Sequence, residues 1–167
     1  VKYYRGLTGK RCEVMPTTMI LDNIKDLDIN SKKEDKVMIG GNFVQWYGGF
    51  DSYVVARSIN HPMTAPSMGR KQEDENLIED ITYLPYMNWR DWINILGNYR
   101  IGVHLMRTHA AGTFALNCGF HGIPSIGYKG LDTQELLHPN TTVEVGDLLS
   151  AKKIIKKLDT DKYFYQE

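Results

Sequence analysis

Short apolar runs alternate with segments of helical spacing along most of the chain. Residues 36–42 form an apolar run closed by Gly40-Gly41-Asn42, as a buried strand ended by a glycine turn would be. Tyr53, Val54, Val55 and Ile59 then follow a helical pattern, with Asp51 or Ser52 placed to cap it. A second strand falls within 59–68, made irregular by Pro62 and Pro66 and closed by Gly69-Arg70-Lys71. The acidic segment 72–80 begins a helix, and 81–86 is a third strand. Asn88 caps a helix over 89–96, which has Trp92, Ile93 and Leu96 on one face and Gly97-Asn98 as its stop. Residues 99–106 are a fourth strand. A buried helix, 114–120, halts at His121-Gly122-Ile123-Pro124, and 124–128 is the fifth strand. Gly122 is expected to take positive φ there. Residues 129–137 make a turn and a short helix, 141–145 a sixth strand, and Asp147 caps a last helix over 148–158.

Strands alternating with helices predict an α/β domain: a mainly parallel, six-stranded, doubly wound, Rossmann-like sheet with helices on both faces. Ligands of such sheets bind outside the carboxyl ends of the strands. The segments gathered there are 41–48, 68–71, 84–87, 107–113 and 128–132. Ahead of the first strand, residues 11–16 suit a short strand, while 21–36 are rich in Asp, Asn, Ser and Lys, as a linker is. The expected division is an arm or interdomain linker over 1–35 and one domain over 36–167.

At 167 residues the chain can bury a full core. It carries 20 Lys plus Arg against 20 Asp plus Glu, so net charge gives no reason to expect nucleic acid or a membrane surface. The last helix sets Lys152, Lys153, Lys156 and Lys157 around Ile154 and Ile155. Such a helix can touch anionic lipid, although a solvated face over core isoleucines explains it more simply. No run is long enough to span a bilayer, and no signal peptide is evident. Cys118 lies in an apolar helix, as a buried free thiol would, and a cytoplasmic location is expected. The chain opens on Val1, which suggests a piece of a longer protein.

No Cys or His pair has metal-ligand spacing, so no metal is expected, and neither a Walker loop nor a nucleophile elbow is present. The dinucleotide fingerprint is absent after the first strand. The candidate chemistry lies in 107–129, a strand–turn–helix–turn–strand unit. The helix N-terminus there presents free N–H groups and a positive dipole to an anion, phosphate above all. Gly112 would let a ligand approach the backbone, Thr113 adds a hydroxyl, and no acidic residue occurs between Tyr99 and Lys129. His109 is exposed by the turn at the mouth of the sheet. His121 suits a helix end that donates to backbone carbonyls. Trp89 and Trp92 suit a packed helix face better than a sugar-stacking platform.

This stretch resembles the donor-site segment of GT-B-fold glycosyltransferases, in the large retaining group that includes sucrose and glycogen synthases. Their pattern is a Glu, a glycine turn, a helix with a second Glu, then Gly-x-Pro and a strand. Gly112 matches the turn glycine and Gly122-Ile123-Pro124 the Gly-x-Pro, while His109 and Asn117 stand where the two Glu residues would be. Residues 36–55 are similar to the opening segment, with Asn42 in place of its Arg and Gly48 in place of its Lys. The resemblance, over about 36–158, implies a C-terminal domain that binds a UDP-, GDP- or dTDP-sugar as substrate, without a further cofactor. Transfer would go to an acceptor held by an N-terminal domain, so the domain alone should not turn over. The residues it implies at the donor are Gly41, Asn42, Arg70, Arg107, His109, Ala111, Gly112, Thr113, Asn117 and Lys129. The departures equally suit a non-catalytic module that keeps the fold, and a sugar-nucleotide epimerase of the same fold would also use the glycine turn.

Overall fold

All six strands join one sheet: β1 (Glu34–Ile39), β2 (Met63–Pro66), β3 (Ile81–Leu84), β4 (Tyr99–His104), β5 (Ser125–Tyr128) and β6 (Thr142–Val143). The computed structural model describes residues 2–13, 15, 17–27, 32–66, 73–109 and 112–167. Every neighbouring pair is parallel, in the order β3-β2-β1-β4-β5-β6. The chain winds outward from β1 to one edge, returns to its centre, and winds outward to the other. The direction switches between β1 and β4, and that switch opens a crevice at their carboxyl ends.

The helices are α1 (Lys2–Thr8), α2 (Gly49–Ala56), α3 (Trp89–Leu96), α4 (Thr113–Phe120), α5 (Asp132–Leu137), α6 (Leu148–Thr160) and α7 (Lys162–Gln166). Alternation along the strands divides the core between two faces. Val37, Ile39, Ile101, Val103, Ile126 and Tyr128 face one way, against Val55 of α2 and Ile155 and Leu158 of α6. Met38 faces the other way, with Leu96 of α3 and Phe114 and Cys118 of α4. On that second face β4 and β5 carry glycine where the helices pack closest. A β-carbon at Gly102 would stand 2.8 Å from Cys118 Sγ, and one at Gly127 2.5 Å from Gln134 of α5. Glycine thus brings α4 and α5 directly onto the sheet. Gln134 Nε2 donates to Ser125 O at 2.8 Å and Thr141 Oγ1 to the same carbonyl at 2.6 Å, so that carbonyl is satisfied twice.

The expected six-stranded parallel sheet is present. Most strands are shorter than the apolar runs, whereas β1 begins at Glu34, two residues earlier than expected, where it pairs with Tyr99. The acidic segment after β2 forms a 3-10 turn, Glu73–Leu77, rather than the start of an α-helix. Asp51 and Ser52 do not cap α2, whose N-cap is Gly48. Both lie within the helix and point inward to other partners. Asn88 and Asp147 do cap their helices, accepting from Asp91 N and Ser150 N. Gly122 has φ of 60° at the end of α4. Cys118 is a free, fully buried thiol, its pKa raised by burial. Ile155 and Leu158 are core, which leaves the lysines of α6 as a solvated face.

Within residues 2–27 the described part holds no strand, so the short strand expected at 11–16 is absent from its described residues. This part touches the domain at a few points. Ile24 is fully buried, Arg90 donates to Asn23 O and pairs with Asp26, and Thr17 N donates to Asp132 Oδ2 at 3.1 Å.

Candidate functional site

A cavity of about 590 Å³ opens at the carboxyl ends of the strands, over the switch between β1 and β4. One wall is the turn after β1, with Gly40, Gly41, Asn42 and Tyr47; opposite stand Pro85, Tyr86 and Met87 after β3 and Trp89 and Trp92 of α3. His104 and Met106 from the end of β4, and Thr113, Phe114 and Asn117 from α4, form the floor and far side. Its ring-bearing wall is apolar and partly solvated: Tyr86 is 85% exposed and Trp89 41%. Trp92 packs inward, its ring 6.4 Å from that of Phe114. The packed helix face expected of the two tryptophans holds for Trp92, while Trp89 stays exposed at the cavity. No Asp, Glu, Lys or Arg belongs to the lining among the described residues.

Packing decides where the turn after β1 lies. A β-carbon at Gly40 would meet the Phe114 ring at 2.5 Å, and one at Gly49 would stand 2.5 Å from Asn42 O. These glycines let the turn fold flat against α4 and α2. Asn42 Oδ1 accepts from Val44 N at 3.3 Å, so its side chain closes the turn.

Of the residues expected at a donor, Gly41, Asn42, Thr113 and Asn117 converge on this cavity. Arg107 lies outside it, in a neighbouring open hollow of about 470 Å³ that also includes Trp46, Asp51 and Asp74. Its Nε and Nη2 both donate to Asp51 Oδ2, at 3.0 and 2.7 Å, and Tyr128 Oη donates to the same oxygen at 3.0 Å. Hydrogen bonding to that carboxylate raises the guanidinium pKa, while burial pushes the Tyr128 phenol up to about 12. Lys129 pairs with Glu144 at 3.0 Å, away from the cavity. His109 Nδ1 meets Gly130 O at 2.8 Å, which ties the loop to the turn after β5. Arg70 and Ala111 lie outside the described residues.

Gly112 differs from its expected role. It is buried at the N-cap of α4, its φ is −79°, and a β-carbon on it would collide with the Thr133 hydroxyl. Thr133 Oγ1 donates to Gly112 O at 2.6 Å. The neighbour that needs the missing side chain is thus a threonine of α5, and the carboxylate of Asp132 lies close by. Any side chain at 112 would therefore disturb packing. The exposed first residue of the helix is Thr113.

His121 behaves as expected: it is buried and its Nε2 lies 2.7 Å from Ile93 O. His138 accepts from Ser125 N at Nδ1 and therefore donates from Nε2 to Ala115 O at 2.9 Å. Burial lowers the pKa of both rings. His104 was not singled out in the sequence. It occupies the cavity wall, its ring 5.3 Å from and nearly perpendicular to that of Phe114, and burial lowers its pKa to about 4. A signal for it existed, since alternation along β4 puts position 104 on the same side as Gly102, toward α4. No group of three or more His, Cys, Asp or Glu able to hold a metal occurs among the described residues. Nor is any helix there long and apolar enough to cross a membrane.

The fold resembles that of solved glycosyltransferases. WaaG, a glycosyltransferase of lipopolysaccharide biosynthesis, superposes on 99% of this chain with a TM-score of 0.67 at 13% identity. The pneumococcal O-GlcNAc transferase GtfA, solved with UDP and GlcNAc, matches 84% of the chain with a TM-score of 0.65 at 13% identity. Anabaena HepE, solved with UDP-glucose, matches 87% with a TM-score of 0.64 at 13% identity. The chain spans 43%, 33% and 44% of those proteins respectively. No family model matches the sequence, and no curated protein matches it. The likeness fixes the fold: a Rossmann-like α/β domain like those of GT-B-fold proteins.

Proposed function

We propose that this domain binds a nucleoside-diphosphate sugar in the cavity over the β1–β4 switch and positions it for transfer to an acceptor held by a second domain. The observation that carries the reading is the lining. Aromatic rings from the end of β3 and from α3 offer faces for a base to stack on. Across the cavity, the Asn117 amide and the start of α4 face the place where a ribose and its phosphates would follow. HepE and GtfA, which share the fold, were solved with UDP-glucose and with UDP. In such a site the protein holds the donor in line and offsets charge on the departing diphosphate.

The phosphate half is built differently from the nucleoside half. Arg107 is held by Asp51 and Lys129 by Glu144, so the phosphates would rest on the backbone N–H groups and dipole of α4. A second domain would be a further source of positive charge. Asn117 accepts a ribose hydroxyl without the charge a Glu would bring, so binding at this position is weaker. The same absence of charge from the lining favours the second reading, a binding module that has kept the fold without transferase activity.

Titration calorimetry with UDP, GDP and dTDP tests the proposal. One diphosphate should bind the parent, and Thr113→Glu should weaken it about tenfold by placing like charge at the helix start. The same variant should leave binding of the uncharged nucleoside unchanged. Glu is tolerated at a first helical position, so the fold should survive. No heat from any of the three at millimolar concentration would defeat the donor reading in favour of the binding module.

A further inference from the structure

The cavity wall contains a polar atom that the chain leaves unpaired. His104 ends β4 with its ring edge against Phe114, and its Nε2 is buried without a hydrogen-bond partner among the described residues. A buried ring nitrogen in that state destabilises the unliganded chain, because it has given up water and gained nothing. His121 Nδ1 and Ser125 Oγ are also unpaired, but neither belongs to the cavity lining. His138, by contrast, uses both ring nitrogens.

The surroundings restrict what could pair with it. The His104 ring is neutral in neutral solution, so it has one donor and one acceptor nitrogen. No charged side chain lines the cavity among the described residues, so an uncharged partner suits the place. A hydroxyl both donates and accepts, and therefore satisfies Nε2 in either tautomer. The cover over this nitrogen is Gly41, where a β-carbon would stand 2.9 Å from Nε2. A larger residue would block the nitrogen from that side, whereas glycine covers it with backbone alone.

We infer that His104 is a specificity-determining contact of the cavity, its Nε2 hydrogen-bonding a sugar hydroxyl of the bound ligand when the turn at residues 40–42 gives way. This rests on the donor reading above. Two hydroxyl sources share that chemistry, the ribose of the nucleotide and the sugar to be transferred.

His104→Leu removes the nitrogen and keeps an apolar side chain of similar size. Parent and variant would be titrated with UDP, GDP and dTDP and with their glucose conjugates, and both would be melted without ligand. The variant should melt at or above the parent temperature, since the unpaired nitrogen is gone, and should bind roughly three- to tenfold more weakly. Equal loss for a diphosphate and its glucose conjugate assigns the hydroxyl to the ribose. Loss confined to the conjugate assigns it to the transferred sugar. Nitrogen NMR of the parent gives a second readout that needs no variant: on saturation the His104 Nε2 resonance should move while those of His121 and His138 stay. If the parent binds but the variant binds equally well, or the His104 resonance does not move, the inference falls and the donor reading stands. A parent that binds none of these ligands overturns both.

Discussion

At the scale of single residues, burial fixes the protonation of three histidines. His104, His121 and His138 all have pKa values lowered by desolvation, His104 to about 4 from an ordinary 6.5. Above pH 6.5 both folded and unfolded chains hold neutral rings, and these groups impose no penalty. As pH falls from 6.5 toward 4, the unfolded chain takes up protons that the folded chain refuses, so stability declines. For His104, which is half-buried as a whole although its Nε2 is covered, the loss is at most about 3 kcal/mol once pH reaches 4. The carboxylates of Asp26, Asp35 and Asp147, whose pKa values are lowered from 3.8 by hydrogen bonds, lose their contribution only at still lower pH. Urea midpoints between pH 7 and 4 should therefore fall steadily, and His104→Leu should make the slope shallower. A flat profile over that window would contradict the burial of these rings.

At the scale of elements, the unit from β4 to β5 depends on glycines that do different jobs. Gly102 and Gly127 make room for α4 and α5, whereas Gly122 supplies a left-handed backbone in open space. Its φ is 60°, and a β-carbon there would meet nothing within 4 Å. Gly122→Val thus isolates backbone strain from packing, and should cost on the order of 1 kcal/mol or somewhat more. Chemical denaturation reads this directly; a variant as stable as the parent would mean that the α4 stop can be made with negative φ. The same unit shows why Gly112 reads, in sequence alone, as a turn glycine open to a ligand. Its place before a helix is what a phosphate-binding turn requires, and only the arrival of Thr133 from α5, 21 residues further on, reveals what fills the space.

At the scale of the whole molecule, two apolar layers share one sheet, and the cavity is built from segments that follow β1, β3 and β4 and from α3 and α4. A ligand bridging these segments ties both halves of the winding together. A nucleotide at a hundred times its dissociation constant should stabilise the fold by about 2.7 kcal/mol and raise the melting temperature by roughly 5–10 °C. The shift should appear as one cooperative transition by calorimetry. A ligand that binds by titration but leaves the melt unchanged would bind the unfolded chain as well as the folded one, and so would not be held by this cavity.

The architecture was legible because it rests on local signals. Apolar runs of strand length, helix caps at Asn88 and Asp147, and the Gly122 stop each act within a few residues, and parallel strands need the right-handed crossovers that fix their order. Part of the cavity was legible too: Gly41, Asn42, Thr113 and Asn117 lie at strand and helix ends that the winding must bring together. Pairing across long separations was not. Arg107 reads as a free cation until Asp51, 56 residues earlier, is found holding it, and Lys129 until Glu144 is. His104 reads as one scattered histidine until Phe114 and Gly41 close around it. Strand and helix propensities are set by neighbours in sequence. Whether a charge is free, a glycine is filled or a ring nitrogen is paired depends on which distant side chain arrives beside it, and for these residues only the tertiary structure decided that.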